Sequence, residues 1–504
     1  MILNSIIFVC AALILSFAIS QAWLATQYTR SKKSSGASDT PPQWTGSWPS
    51  VLVQLPVYNE KYVIERLLRT ASQFDYPADA LTIQLLDDST DETTDIAARV
   101  IEKLKLTSQI RIEHIRRSNR EGYKAGALAY GLSQSKHEFV AIFDADFMPR
   151  PDFLKGVLGY FTDPKVGMVQ TRWEHLNENH SVLTRILGFA IDNHFSVEQG
   201  GRQASDCFIN FNGTAGMWRR KTIDDAGGWS DDCLTEDLDL SFRAQMKGWT
   251  LLFVETITTP SELPTEMNSI RAQQSRWTKG AVETSRKNLV RLWLSGAGMK
   301  QKVVGTFHMI NSSIFLPAFI LGLTVGLWTL FPSTQMMMGS TLLHASLAVS
   351  FLALGFTYWI SHTRGEFKFE QVGIGRFIGK YLFFMAVITG FGVQNSRAVL
   401  EGLAGKSTPF VRTPKLNIMN DAGTVSGNRQ YLVSTLPIEF YLEVLVAAYF
   451  LFLCAISFYR GKFDFIDIYS FYAFGFCAIV FFSLEEQMRK FRKHAGALMP
   501  STSL

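Results

Sequence analysis

Two stretches of this 504-residue chain carry no charged side chain: no Asp, Glu, Lys or Arg precedes Arg30, and none lies between Lys302 and Arg364. Runs of that length and polarity belong in a bilayer. The first, residues 2–24, has about the length that crosses the hydrocarbon layer, and Arg30, Lys32 and Lys33 follow it directly. A cleaved leader carries its positive charge ahead of the apolar run, so the reversed order here predicts a retained transmembrane anchor over 1–29. The positive-inside rule then puts residue 30 onward in the cytosol. Further spans are expected at 305–331, 340–361, 431–458 and 464–484, with Pro332, Ser333 and Thr334 breaking the first pair. A shorter apolar stretch, Tyr381–Ser396, sits between Lys380 and Arg397 and reads as an interfacial or re-entrant helix. Five crossings leave Arg489, Lys490, Arg492 and Lys493 in the cytosol and Arg460 and Lys462 outside, which predicts an integral, multi-pass protein of a plasma or inner membrane.

Between the anchor and the later spans the pattern changes. A linker is expected over 30–50, where Ser34, Ser35, Gly36 and Ser38 run into Pro41 and Pro42. From Val51 short β-branched runs alternate with helical ones: Val51–Leu55, Lys61–Ser72, Leu81–Leu86, Thr93–Lys105, Ile110–Ile115, Lys124–Ser133 and Phe139–Phe143. Such alternation predicts an α/β domain over 51–300, with a largely parallel sheet covered on both faces and ligands gathering beyond the C-terminal strand ends. The polar clusters stand at those ends: Asn59 and Glu60, Asp87 and Asp88, Asp144 and Asp146. The balance of 49 basic against 44 acidic residues is too even for a nucleic-acid binder and suits a protein lying against anionic lipid. Five cysteines without C-x-x-C spacing form neither a disulfide framework nor a zinc site.

Individually, the candidate motifs admit two readings. Asp144 and Asp146 project the same way from a strand end and can meet one divalent cation, or they form a polar turn. Lys124, in the Gly122–Gly126 helix start, can meet a phosphate beside backbone N–H groups. Asp88 adjoins Asp87 where helix capping accounts for only part of the acid cluster. Glu236 and Asp237 precede a helix; one of them can serve as a general base, or both can answer the helix dipole. Gln273, Arg276 and Trp277 offer an amide, a guanidinium and an indole suited to a diphosphate and a sugar face, or act as interfacial anchors.

The order of the motifs is more specific than any member. Val-Gln-Leu-Pro-Val-Tyr-Asn-Glu (53–60), Asp-Asp-Ser-Thr-Asp (87–91), Gly-Tyr-Lys-Ala-Gly-Ala-Leu (122–128), Phe-Asp-Ala-Asp-Phe (143–147), Phe-Asn-Gly-Thr-Ala-Gly (211–216), Thr-Glu-Asp-Leu-Asp-Leu (235–240) and Gln-Gln-Ser-Arg-Trp (273–277) resemble the family 2 glycosyltransferases, above all membrane synthases of the cellulose-synthase-like and mannan-synthase group. Phe-Val-Arg-Thr-Pro-Lys (410–415) is similar to the gating loop of those synthases, placing such a loop near 405–416 within a transmembrane and interfacial region over 301–504.

The resemblance implies a cytosolic, Rossmann-like GT-A domain inserted between transmembrane helices. It assigns Glu60, Asp88 and Lys124 to nucleotide and diphosphate, Asp144 to the nucleotide, and Asp146 to Mg2+ or Mn2+. It makes Asp237 the base, gives Gln273, Arg276 and Trp277 the pyrophosphate and acceptor end, and gives Phe410, Thr413 and Lys415 to the loop over bound donor. Arg412, where a valine is usual, and Pro414 depart from the cellulose-synthase pattern, as do the single N-terminal span and the lack of a cyclic-di-GMP domain.

The implied activity is inverting, processive β-transfer of hexose from UDP-glucose or GDP-mannose to a growing polysaccharide, coupled to export through the chain's own helices. Two alternatives stand beside it: one sugar passed to a lipid acceptor, as in the ceramide glucosyltransferases, and an inactive membrane protein that binds sugar nucleotides. The expected partners are thus the donor, a glycan or lipid acceptor and the bilayer, with no nucleic acid; the resemblance names no export partner.

Overall fold

The computed structural model describes residues 2–34, 43–331, 336–365, 373–406, 408, 412–418 and 436–498. The first apolar segment is one unbroken helix, α1 (Ile2–Ser34), which runs on through the first residues of the expected linker, while residues 35–42 of that linker lie outside the described residues. The cause lies in the last turns of α1. Tyr28 donates its hydroxyl to Glu255 at 2.9 Å, and Lys32 stands 3.3 Å from the same carboxylate, so the folded domain holds these turns in helical form.

After residue 50 the chain alternates as expected through β1 (Val51–Val57), α2 (Ile64–Ala71), β2 (Leu81–Asp87), α3 (Thr93–Lys105), β3 (Arg111–Arg116), α4 (Tyr123–Ser133) and β4 (Phe139–Ile142). It continues through α5 (Phe153–Leu158), β5 (Val166–His175), α6 (Val182–Asn193), a π-helical turn over His194–Gln199, and α7 (Gly200–Ala204). β6 (Gly216–Arg219), α8 (Arg220–Asp225), α9 (Glu236–Met246) and β7 (Thr250–Ser261) complete the domain. The strands form one seven-stranded sheet in the order β3-β2-β1-β4-β6-β5-β7, in which only β6 runs against the rest.

Alternation along the strands explains the two covered faces. Val51, Val53, Leu55 and Val57 meet Ile64, Leu67 and Leu68 of α2 and Ala97, Val100 and Ile101 of α3. Leu52, Leu86, Val140 and Ile142 turn the other way, onto Leu128 and Leu132 of α4 and Leu240 and Ala244 of α9. Each such side chain contributes about 1.5–3 kcal/mol by leaving water, so a charge at Ile142, which is 0% exposed, would open the face under the β4 acids.

From β7 the chain enters α10 (Met267–Leu294), then α11 (Met299–Ile310) and α12 (Phe315–Leu330), joined through a tight turn at Asn311–Ile314. α13 (Met336–Arg364), α14 (Ile374–Gly390), α15 (Gly392–Leu403), α16 (Ile438–Arg460) and α17 (Ile466–Leu498) follow. Among the described residues, five helical stretches are long and apolar enough to span a membrane: Ile2–Lys32, Met299–Leu330, Ser340–Thr363, Ile438–Arg460 and Ile466–Arg489. The chain is therefore a multi-pass membrane protein with a large α/β domain. The stretch read as one short helix near 381–396 is a longer pair, α14 and α15, bent by 52°. Its break falls at Phe391, directly after Gly390, whose close contact with the Gly475 backbone leaves no room for a side chain.

One buried polar junction joins the domain to the bundle. On α10, Arg271 is 4% exposed; its guanidinium meets both carboxylate oxygens of Glu443 on α16, at 2.5 and 3.3 Å, and Ser483 of α17 at 2.8 Å. Gln394 of α15 donates to the Arg271 carbonyl, and Met267 donates its N–H to Glu486 at 2.6 Å. A charge pair so withdrawn from water keeps its place only while both partners are present.

Candidate active site

Beyond the C-terminal ends of β1, β2 and β4 lies a cavity of about 190 Å3. Eleven of the twelve expected site residues line it, including Glu60, Asp88, Lys124, Asp144, Asp146, Asp237, Gln273, Arg276, Trp277, Thr413 and Lys415. Phe410, the twelfth, lies outside the described residues. Arg412, Thr413 and Lys415 of the 412–418 segment form part of the cavity wall.

Each group is held by recognisable local structure. The carboxylate of Asp88 is gripped in two-pronged fashion by Arg117, at 2.5 and 3.0 Å. Arg117 also donates to the carbonyls of Glu121 and Tyr123, so it orients the start of α4. From that helix Lys124 reaches Asp144 at 2.5 Å and the Gly213 carbonyl at 2.9 Å. Burial works against the ammonium charge, but Asp144 and Glu236 outweigh it and raise the lysine's pKa. The segment carrying Gly213 is fastened to the β4 end by Thr214, whose hydroxyl accepts the Asp144 N–H at 2.8 Å.

Gly213 has φ +79°, a backbone that L side chains rarely adopt, and a Cβ there would stand 3.1 Å from Asp237 Oδ2. Asp237 opens α9 and receives the Leu238 N–H at 2.8 Å. Desolvation in the cavity wall and the adjacent Glu236 push its carboxyl up to about 7, against the pull of Lys124. Burial lowers the Arg276 pKa, while Asp144, Glu236 and Asp237 face it and support its charge. Gln273 is 9% exposed and its side-chain carbonyl has no partner among the described residues, an uncommon state for a buried acceptor and one a ligand donor would relieve.

The other wall joins the expected Glu60, Asp146 and Lys415, and Arg412 of the loop, to Glu262 and Arg66, which sequence reasoning passed over. Glu262, just after β7, donates its N–H to Asp146 at 3.1 Å and accepts the N–H groups of Leu416 and Asn417, both at 2.9 Å. Lys415 stands 2.8 Å from Asp146, and Arg412 pairs with Glu60 at 3.1 Å while donating to the Tyr58 and Asn59 carbonyls. Burial raises the Glu60 carboxyl to about 8 despite Arg412 and Lys415. Arg66 of α2 closes the group by donating to the Asn417 side chain at 2.5 Å. Arg412 had a signal, its break with the loop pattern. Glu262, Arg117 and Arg66 had none, because their partners lie far off in sequence.

The acid pair fits a hard divalent cation. Asp144 Oδ2 and Asp146 Oδ1 engage no donor among the described residues, and both side chains front the cavity. A second acidic group, Asp232, Cys233 and Asp239, does not fit one. Lys287 stands 2.7 Å from Asp232 and 3.1 Å from Asp239, Arg243 and Asn288 hold Asp239 as well, and burial pushes the Cys233 thiol up.

Sheet order and cavity position together make the soluble part a GT-A glycosyltransferase domain. The fold is shared with a mannosyltransferase from Pyrobaculum calidifontis solved in complex with GDP-Man and Mn2+, with a TM-score of 0.55 and 20% identity over 80% of this chain and 100% of that one. Residues 49–280 match the family described as Glycosyltransferase like family 2. Over 427 residues the chain is 34% identical to glucomannan 4-beta-mannosyltransferase 2 of Arabidopsis thaliana, covering 83% of this chain and 78% of that protein. It is 44% identical over 245 residues to probable glucomannan 4-beta-mannosyltransferase 4 of Oryza sativa subsp. japonica, 48% of this chain but only 45% of the rice protein, so that match spans about half the relative's length. The chain belongs to the family 2 glycosyltransferases.

Proposed function

We propose that the chain transfers hexosyl units, with inversion and processively, from a nucleotide sugar to a growing β-linked polysaccharide, with its catalytic domain in the cytosol. Of the two expected donors, GDP-mannose is favoured over UDP-glucose by the names of its relatives. The observation that carries the proposal is the convergence of Asp144, Asp146, Lys124, Asp237 and Arg276 on one cavity. Asp237 takes the proton of the acceptor hydroxyl as that oxygen attacks the anomeric carbon, and a single displacement turns an α-linked donor into a β-linkage. Lys124 and Arg276 offset charge on the departing diphosphate, and Gln273 and Trp277 orient the acceptor end. When bound at Asp144 and Asp146, Mg2+ or Mn2+ would supply Lewis-acid stabilisation of the same diphosphate.

A polysaccharide is too polar to cross lipid unaided, and the membrane helices begin directly beyond α10, which supports a path for the product between them. The test is incubation of membranes holding the chain with single radiolabelled GDP- and UDP-sugars, followed by linkage and size analysis. A long β-linked product from GDP-mannose supports the proposal. A label that stays on a one-sugar lipid replaces it with single transfer, and nucleotide release without glycan growth refutes it.

A further inference from the structure

α10 does more than carry Gln273, Arg276 and Trp277 into the cavity. Its next two turns touch the stem of the loop on one side and the lead-in to Asp237 on the other. Lys279, only 2% exposed, donates to the Lys406 carbonyl at 2.5 Å and to the Thr408 hydroxyl at 2.6 Å. One turn on, Glu283 stands 3.8 Å from Lys279, and its other oxygen accepts the Leu234 N–H at 2.9 Å. Thr284 and Thr235 share a hydroxyl contact at 3.1 Å. At Gly280 an added Cβ would fall 2.5 Å from the Thr235 methyl and 3.0 Å from its backbone nitrogen, so α10 packs against the chain before Asp237 too closely to admit a side chain there.

Chain length gives this contact its consequence. From Thr408 to Arg412 is four residues, which reach at most about 14 Å. With Thr408 held, Arg412 can stray no further than that from it, which limits how far the segment can move if its own bonds to Glu60 and Asp146 open. Without Lys279, the last hold on the stem among the described residues is Lys406, whose N–H donates to the Glu401 carbonyl at 3.0 Å, and the reach from there to Arg412 grows to about 21 Å.

We propose that Lys279 is a positioning residue that tethers the loop stem to α10 and, through Glu283, couples the 412–418 segment to the backbone that sets Asp237. This rests on the transferase reading above and adds to it a residue outside the motifs that carry the family resemblance. The ammonium suits the task because it meets two acceptors at the end of α15, where a cation also answers the helix dipole, and faces a carboxylate as well.

The test uses the full chain in lipid nanodiscs, with Lys279→Met, Lys279→Arg, Glu283→Gln and Thr408→Val. Hydrogen exchange without donor reads the 412–418 peptide, with the β4 peptide as the control for folding. Losing charge-assisted bonds should speed exchange of 412–418 by about tenfold in Lys279→Met, with β4 unchanged and Lys279→Arg close to wild type. In turnover, Lys279→Met should raise KM for the nucleotide sugar by about tenfold with a smaller fall in kcat. Glu283→Gln should lower kcat more than it raises KM, and the double variant should be no worse than Lys279→Met alone. Unchanged exchange at 412–418, or additive effects in the double variant, overturns the proposal. If Lys279→Met does not fold, Thr408→Val decides by the same exchange readout: faster exchange supports the tether, and none overturns it. The exchange arm needs no turnover, so a wild-type chain that makes no product sinks the transferase reading while the tether stands or falls on exchange.

Discussion

The acid limb of the pH–rate profile is the sharpest handle on Asp237. A general base acts only when deprotonated, and desolvation together with Glu236 holds this carboxyl up at about 7. Activity per donor should therefore fall as pH drops through the neutral range, well above the usual carboxylate range. Replacing Glu236 with Gln removes the neighbouring negative charge. One pKa unit corresponds to about 1.4 kcal/mol, the order of interaction expected between neighbouring carboxylates in a desolvated site. Burial also raises the Glu236 carboxyl, and the acid limb of Glu236→Gln is expected to shift downward by about one unit. Asp237→Asn keeps shape but removes the proton acceptor, and loss of general-base action should lower kcat by about 10²–10⁴-fold, roughly 3–5 kcal/mol, with donor binding little changed. Initial rates of labelled sugar transfer from pH 5 to 9, with donor binding by calorimetry, read both effects. An acid limb that stays put or moves upward in Glu236→Gln, or an Asp237→Asn variant with more than a tenth of wild-type turnover, would refute the assignment.

Other consequences can be checked alongside. Chelation should abolish transfer and Mn2+ should restore it, while Asp146→Asn should stay inactive at any Mn2+ concentration; metal-independent transfer by that variant argues against the site. Gly213→Ala forces a side chain into a left-handed backbone at roughly 1–2 kcal/mol and crowds Asp237, so kcat should drop at least about tenfold with the fold retained by circular dichroism. Glu443→Leu leaves the Arg271 charge buried and unpaired, which should destabilise the protein by about 3–5 kcal/mol in thermal unfolding in lipid, whereas Arg271→Met with Glu443→Leu should recover most of that loss.

What the sequence disclosed, and what it withheld, follows the reach of local pattern. The elements from β1 to β4 were legible because β-branched runs alternate with helical ones, and α3 falls on Thr93–Lys105 as read. β6 was not, being four residues long and reversed between neighbours that run the other way. The ordered motifs disclosed the residues of the cavity, yet none of the side chains that hold them there. Arg117 reaches Asp88 across 29 positions and Glu262 meets Leu416 across 154, pairings that topology creates. Membrane spans were visible as long apolar runs with few or no charges, but the 52° break between α14 and α15 depends on packing against α17 and was not.

The Arg271 junction bears on how the chain is made. Its partner Glu443 is encoded 172 positions downstream, so a ribosome finishes the whole α/β domain and several membrane segments before α16 emerges to meet it. Until then a guanidinium destined for a water-free setting has to wait in the aqueous interface. Final seating of the catalytic half on the bundle is thus a late event in biogenesis, and the domain severed from its C-terminal helices would present an arginine with nowhere to go.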